Sequence, residues 1–379
     1  MQKTDKIYRK THQDAKCAAR TGFIDLPHGQ VRTPSFMPVG TNATVKAMTK
    51  DWLDEIGFDI ILANTYHLYL RPGVDIVRKA GGLHGFSGWK KNFLTDSGGY
   101  QIFSLSSFRK ITRDGVKFRS HIDGSSHFLT PESVVGLQAG FNSDIQMQLD
   151  VCTGFGTEWK KAKEALSITT DWARRAKKAW LETGDEYQGK LFAIVQGNFY
   201  HDLRKASVDS VLELDTPGIA IGGLSVGEPP DVYSEFLAET AAQLPPEKPR
   251  YIMGIGTPDY ILDAVYNGID IFDCVLPSRN ARNGSLFTRD GSIAIKKERY
   301  AADFGPIDPE CNCRVCREYT RAYMRHLYKN DEILSSMLAT YHNLAFLNQL
   351  MEEIRVSIAN DTFTEFRAAF LARFMGGNT

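Results

Sequence analysis

The sequence predicts an α/β fold: a closed (β/α)8 barrel with an N-terminal β-hairpin, an inserted β-ribbon and a metal-binding segment near the C-terminus. Three observations predict it. From residue 144 onward, short apolar runs alternate with amphipathic stretches at the spacing of parallel βαβ units. Counted from Val31, eight apolar runs appear, centred near 36, 61, 94, 147, 193, 220, 252 and 271, and eight strands close a barrel. Most of these runs also end in a carboxylate, an amide or paired glycines, which a barrel gathers on one face.

The elements follow in order. Residues 15–40 read as a hairpin turning at Pro27-His-Gly29 and running on as one strand from Val31 to Val39. Asp59-Ile-Ile-Leu-Ala63 is a compact strand leading to Asn64-Thr-Tyr-His67, and Phe93-Leu-Thr95 ends at Asp96-Ser-Gly-Gly-Tyr100-Gln101. Residues 105–130, with Asp114-Gly115 and Asp123-Gly124 turns, read as the inserted ribbon. Thr130-Pro131 opens a helix with a hydroxyl cap and proline at its first position. The strand 144–149 ends at Asp150 and precedes a long amphipathic helix from Glu158 to about Glu182. Leu191–Val195 ends at Gln196-Gly197, Gly218–Ile221 at Gly222-Gly-Leu224, and Tyr251–Met253 at Gly254. Helices follow over 201–213, from Asp231 and from Pro258. The last strand, Ile269–Phe272, ends at Asp273, and Pro277 then breaks the chain into a loop carrying Arg279 and Arg282. The expected divisions are a barrel over 1–300, a metal subdomain over 301–345, and C-terminal helices over 346–379 packing back on the barrel.

Composition narrows the functions available. At 379 residues with 42% hydrophobic content, the chain can bury a large core. Lys+Arg and Asp+Glu balance at 45 each, so any polyanion must be held by a local patch. No apolar run reaches the roughly eighteen residues a membrane span needs, and the first ten residues lack a signal-peptide core. The six cysteines do not form a disulfide scaffold; three crowd into Cys311, Cys313 and Cys316, which suits metal binding in a reducing cytoplasm. Three thiolates and one imidazole make a closed tetrahedral zinc site with no open position, hence a structural one. Spacing leaves both His342 and His326 as the fourth ligand; His326 also forms a helical stripe with Tyr319 and Tyr323, either core or a dimer contact.

The gathered strand ends suggest chemistry. Paired carboxylates such as Asp273 and Asp96 suit displacement at an anomeric carbon, one as nucleophile and one as acid/base. Asp150 can accept the two adjacent N–H donors of a guanine, Gln196 and the amides of Gly223 and Leu224 can donate to its acceptors, and Tyr100 and Met253 can sandwich its ring.

These residues lie in longer motifs: Thr95-Asp-Ser-Gly-Gly-Tyr-Gln101, Val195-Gln-Gly197, Gly222-Gly-Leu-Ser-Val-Gly-Glu228, Tyr251-Ile-Met-Gly254, Phe272-Asp-Cys-Val-Leu-Pro277 and Tyr341-His-Asn343. Along nearly its whole length the chain resembles the bacterial tRNA-guanine transglycosylases. The resemblance implies a homodimer with one structural Zn2+ per subunit, exchanging the wobble guanine of tRNA for preQ1 (7-aminomethyl-7-deazaguanine) by a ping-pong route. It implies Asp273 as nucleophile and Asp96 as general acid/base. Asp150, Cys152, Gln196, Gly222, Gly223, Leu224, Tyr100 and Met253 would form the base site. Arg279 and Arg282 would meet the flanking nucleotides, and Cys311, Cys313, Cys316 and His342 would hold zinc. Arg314, Arg317, Arg321 and Arg325 extend a possible phosphate footprint. Where many bacterial members have Glu and Pro, this chain has Val151 and Gly154. Val226 matches the bacterial type, whereas the queuine-using eukaryotic enzymes carry a smaller residue; no further RNA-binding domain is expected after the zinc segment. Other readings are a queuine-specific transglycosylase, a metal-dependent barrel hydrolase with His67 as its one histidine at a strand end, and a non-catalytic tRNA-binding subunit.

Overall fold

The structure is a computed structural model that describes residues 6–105 and 108–377; positions 106 and 107 of the expected ribbon, like 1–5 and 378–379, lie outside the described residues. Eight parallel strands form the barrel: β1 (Ser35–Pro38), β2 (Ile60–Ala63), β3 (Asn92–Thr95), β4 (Ile145–Met147), β5 (Lys190–Val195), β6 (Gly218–Ile221), β7 (Arg250–Ile252) and β8 (Ile271–Cys274). Their order is β1-β8-β7-β6-β5-β4-β3-β2. The ring closes where Val39 bridges Leu62 in parallel and the Gly40 N–H donates to Leu62 O at 2.6 Å. All eight expected runs become strands because each is buried on both faces, inward by residues such as Met37, Leu62, Leu94, Met147, Ile194 and Ile271 and outward beneath the helices.

Local chemistry sets the helix boundaries. Thr130 caps the helix Pro131–Phe141 in a reciprocal capping box with Ser133. The helix Trp159–Glu182 buries Ala162, Ala165, Leu166, Thr169, Trp172, Ala173, Ala176 and Trp180, a single stripe at helical spacing. The inserted ribbon has three antiparallel strands, Arg109–Ile111, Val116–Arg119 and Ser126–Leu129.

Three expectations change. Residues 31–39 are two strands: Gly29–Thr33 belongs to an antiparallel sheet with Arg20–Leu26, and Ser35–Pro38 belongs to the barrel. Pro34, which has no N–H to give a ladder, separates them. That sheet has a third strand, Tyr8–Gln13, missed because its residues are nearly all polar and mostly face outward. The segment after Asp273 is a helix, Leu276–Arg282, because a proline is tolerated in a helix's first turn.

The small sheet plugs the mouth at the start of the strands, where Ile24, Leu26 and Val31 join the inner barrel core. Arg20 clamps Asp270, the residue before β8, through Nε–Oδ1 at 3.0 Å and Nη2–Oδ2 at 2.5 Å, and the Tyr8 hydroxyl donates to Asp270 at 2.9 Å. Beyond the barrel come a hairpin (Ser285–Thr288, Gly291–Ala294), the short helices Arg314–Glu318 and Arg321–Lys329, and the long helices Ile333–Ala359 and Phe363–Gly376. Ile333–Ala359 runs unbroken through position 345 and packs against both Leu276–Arg282 and β1. Among the described residues no helix is long and apolar enough to cross a membrane.

Candidate active site and metal centre

Parallel pairing brings the strand ends to one mouth. Asp96 directly follows β3 and Asp273 lies in β8, yet both face the same buried space: the Asp273 charge helps raise Asp96, and both raise the phenol of Tyr251. Asp96 is only 8% exposed. Its Oδ2 accepts from Asn64 Nδ2 at 2.5 Å, its Oδ1 from the Thr65 N–H at 2.7 Å, and Thr65 Oγ1 donates to its carbonyl at 2.5 Å. Burial outweighs these donors and, with Asp273 nearby, pushes the Asp96 carboxyl up to about 6.

Asp273 is held differently. The Tyr251 hydroxyl and the Gly254 N–H both donate to its Oδ1, at 2.6 and 2.9 Å. Burial raises this carboxyl too, and the two donors oppose that rise. With both bonds on Oδ1, Oδ2 is the oxygen left to act.

Several of the residues expected at a base site follow the neighbouring strands. Asp150 is buried; Gln196 Nε2 donates to its Oδ2 at 2.7 Å and Ser97 Oγ to its Oδ1 at 3.3 Å. Gln196 can lie there only because glycines line its path. A Cβ on Gly223 would meet Gln196 Oε1 at 2.5 Å, one on Gly222 would meet Gln196 Nε2 at 2.8 Å, and Gly223 has φ +68. Leu224 is buried and Met253 half-buried against the inner barrel core. Burial pushes the Cys152 thiol up to about 12, so it is neutral. Tyr100 stands 54% exposed on the helix Gly99–Leu105, next to Phe103. A narrow cavity runs beneath them, lined by Gly99, Ile102, Phe103, Arg109, Asp150 and Cys152.

Arg279 is exposed and Arg282 half-buried on the helix after β8, with Arg282 Nη1 donating to Ser278 O at 2.8 Å. Of the other arginines, Arg314 pairs with Glu55, Arg321 with Asp303 and Arg325 with Glu298, which narrows the phosphate footprint they could offer.

Sequence reasoning missed the residues that hold the acids: Asn64, Thr65, Ser97 and Tyr251. It also missed Glu228, whose carboxylate accepts from the Ser225 and Val226 amides, the latter at 2.8 Å, and so fixes the turn after Leu224. Asn64-Thr65 was visible as a polar pair after a strand, but its partner 31 or 32 positions away was not.

The cysteine cluster closes on one histidine. His342 Nδ1 lies 4.0, 3.6 and 3.3 Å from the sulfurs of Cys311, Cys313 and Cys316. Bonds of about 2.3 Å to sulfur and 2.0 Å to nitrogen at tetrahedral angles need about 3.6 Å, so the four residues fit one metal ion. His342 Nε2 sits 2.7 Å from Phe287 O, which makes it the protonated nitrogen and frees Nδ1 for a metal. His326 instead stacks with Tyr323 at 6.4 Å between ring centroids. Asn343 then ties this centre to the barrel: it accepts from the Phe287 N–H and donates to Pro277 O and Ser285 O. Among the described residues the other group able to hold a metal is His28, His84 and Asp144, and neither group stands at the mouth that holds Asp96 and Asp273. His67 there faces His121 edge-on at 5.7 Å and burial lowers its pKa; among the described residues it belongs to neither metal-capable group.

Fold and site together define a (β/α)8-barrel enzyme whose rim carries one buried and one half-buried carboxylate, with a Cys3His centre appended. Residues 14–375 match the family model described as Queuine tRNA-ribosyltransferase. Proteins named queuine tRNA-ribosyltransferase from Treponema denticola, Borrelia hermsii and Caldanaerobacter subterraneus are similar throughout. They are 62%, 53% and 53% identical to it, over 99%, 96% and 97% of this chain and 99%, 97% and 98% of their own. The chain belongs to the queuine tRNA-ribosyltransferase family, enzymes of the glycosyltransferase type.

Proposed function

We propose that the chain is a tRNA-guanine transglycosylase that replaces the wobble guanine of tRNA with preQ1 through a covalent ribosyl-Asp273 intermediate. The observation that carries this reading is the contrast between two acids in one space. Asp273 is held by two donors on one oxygen, as a nucleophile needs, and Asp96 is poised near neutrality, as an acid/base needs. In the first step Asp273 Oδ2 attacks C1′, the C1′–N9 bond breaks, and N9 of the departing guanine takes a proton from Asp96. In the second, the Asp96 carboxylate removes the N9 proton of preQ1, N9 attacks C1′, and the ester to Asp273 breaks. Two inversions leave the configuration unchanged.

Asp150 would accept the two adjacent N–H groups of either base, with Gln196 and the Gly223 and Leu224 amides donating to its far edge. Entry requires the wobble base to leave its stack, and Tyr100 and Met253 offer the replacement surfaces. Arg279 and Arg282 would meet the flanking nucleotides; with no net charge on the chain, such local contacts must orient the RNA. The Cys3His centre would hold zinc, a soft-donor preference, and bear load without entering the reaction. The exposed Tyr323, stacked on Tyr319 at 5.8 Å, supports a homodimer. Val226 supports preQ1 over the bulkier queuine. Incubation with tRNA bearing a wobble guanine plus preQ1, followed by nucleoside analysis, tests the reading: the modified nucleoside should appear and guanine be released, and unchanged tRNA would reject it.

A further inference from the structure

At the barrel mouth opposite the acids, three side chains from distant parts of the chain converge. Asp144 immediately precedes β4, His28 sits in the turn between Arg20–Leu26 and Gly29–Thr33, and His84 lies on the helix Gly82–Ser87. The Asp144 carboxylate is fully buried and fixed, its Oδ2 accepting from the Phe93 N–H at 2.7 Å. His28 Nδ1 lies 2.6 Å from Asp144 Oδ1, and His84 Nε2 lies 3.2 Å from Oδ2. The two imidazoles stack with centroids 3.5 Å apart. His84 is 7% exposed; the Asp144 carboxylate is the one polar group against its Nε2, and its Nδ1 makes no hydrogen bond. A buried imidazole held against a carboxylate with its other nitrogen unsatisfied is unusual for a purely structural contact.

We propose that His28, His84 and Asp144 form a second metal site, for a borderline divalent ion such as Zn2+, Co2+ or Ni2+, that staples the N-terminal sheet to the barrel floor. One ligand atom from each residue lies within 4.8 Å of the others. The His84–Asp144 separation of 3.2 Å is close to the roughly 3.3 Å that bonds of about 2.0–2.1 Å require at tetrahedral angles, and the His28–Asp144 separation of 2.6 Å must widen to reach it. Two imidazoles and a carboxylate select such ions over Mg2+ or Ca2+, which prefer all-oxygen shells. Binding fans the stacked rings apart so that both lone pairs converge. His28 can make that movement because its side chain is 31% exposed on a turn, and the same opening admits water as the fourth ligand.

The test uses full-length protein whose Cys3His centre is already saturated, dialysed against Co2+ and assayed for metal per chain. Wild type should take up a second equivalent that lacks thiolate-to-cobalt charge-transfer absorption, and its melting temperature should rise. His84→Ala and the milder turn variant His28→Ala should each weaken that equivalent at least tenfold while keeping the first. A single equivalent in wild type, or a second one retained by His28→Ala, would overturn the site.

Discussion

The Tyr251 hydroxyl donates to Asp273 Oδ1 at 2.6 Å, from the strand next to the one that carries the acid. Together with the Gly254 N–H it is what keeps a half-buried carboxylate usable as an anion. Tyr251→Phe should leave the fold intact, since only a hydroxyl is lost, and lower kcat by on the order of tenfold to a hundredfold. Losing a donor to the charged form raises the Asp273 pKa further, so the acid limb of the rate profile should move to higher pH. Steady-state guanine exchange across pH checks both; an unshifted limb would show that Tyr251 does not set the titration of Asp273.

Asp96 makes a prediction about stability as well as rate. Its folded carboxyl is raised from 3.8 to about 6 by burial and by Asp273. Below about pH 4 both folded and unfolded forms are protonated and the shift has no effect; above pH 6 both are ionised and the folded state is disfavoured. Wild-type stability should therefore fall as pH rises through this window. Asp96→Asn, which cannot ionise, should gain relative to wild type by on the order of 3 kcal/mol between pH 4 and pH 7. Denaturant unfolding of both proteins at the two pH values measures it. The same variant should lose turnover, because the incoming base keeps its N9 proton.

Gly223→Ala should strike the base site selectively. Its Cβ would stand 2.5 Å from Gln196 Oε1, and its φ of +68 strains any other residue. The side chain of Gln196 must move, and its bond to Asp150 with it. The expected result is at least a tenfold rise in KM for guanine or preQ1, measured by labelled-base exchange, with the Asp273 adduct still able to form.

Metal removal should act at a distance. Asn343 neighbours His342 of the Cys3His cluster and bonds to Pro277 at the start of the helix that carries Arg279 and Arg282. Chelation, or Cys313→Ser, should loosen residues 285–345 and weaken tRNA binding before the barrel unfolds. Hydrogen exchange localised by peptide mapping reads this out. A prompt loss of activity with exchange unchanged would point to a metal taking part in the reaction.

Much of this was legible in the chain because it is local. Each barrel strand is a short run buried on both faces, so composition alone marks Ile60–Ala63 or Lys190–Val195, and Cys311, Cys313 and Cys316 announce themselves by spacing. Proline misled twice, in opposite senses: Pro34 divides two strands that read as one, and Pro277 opens a helix that reads as a loop. Tyr8–Gln13 escaped because an outward-facing strand at a sheet edge carries no apolar signal. The acids themselves stood at strand ends, where sequence can find them. Their holders could not be found that way, because Asn64 and Tyr251 reach Asp96 and Asp273 only across the curvature of a closed sheet.

The proposed covalent step is tested with wild type and Asp273→Asn, each incubated with tRNA and resolved on a denaturing gel. A slower-migrating protein–RNA band should appear for wild type and none for Asp273→Asn. A band of equal intensity from Asp273→Asn, or base exchange by that variant at the wild-type rate, would contradict it.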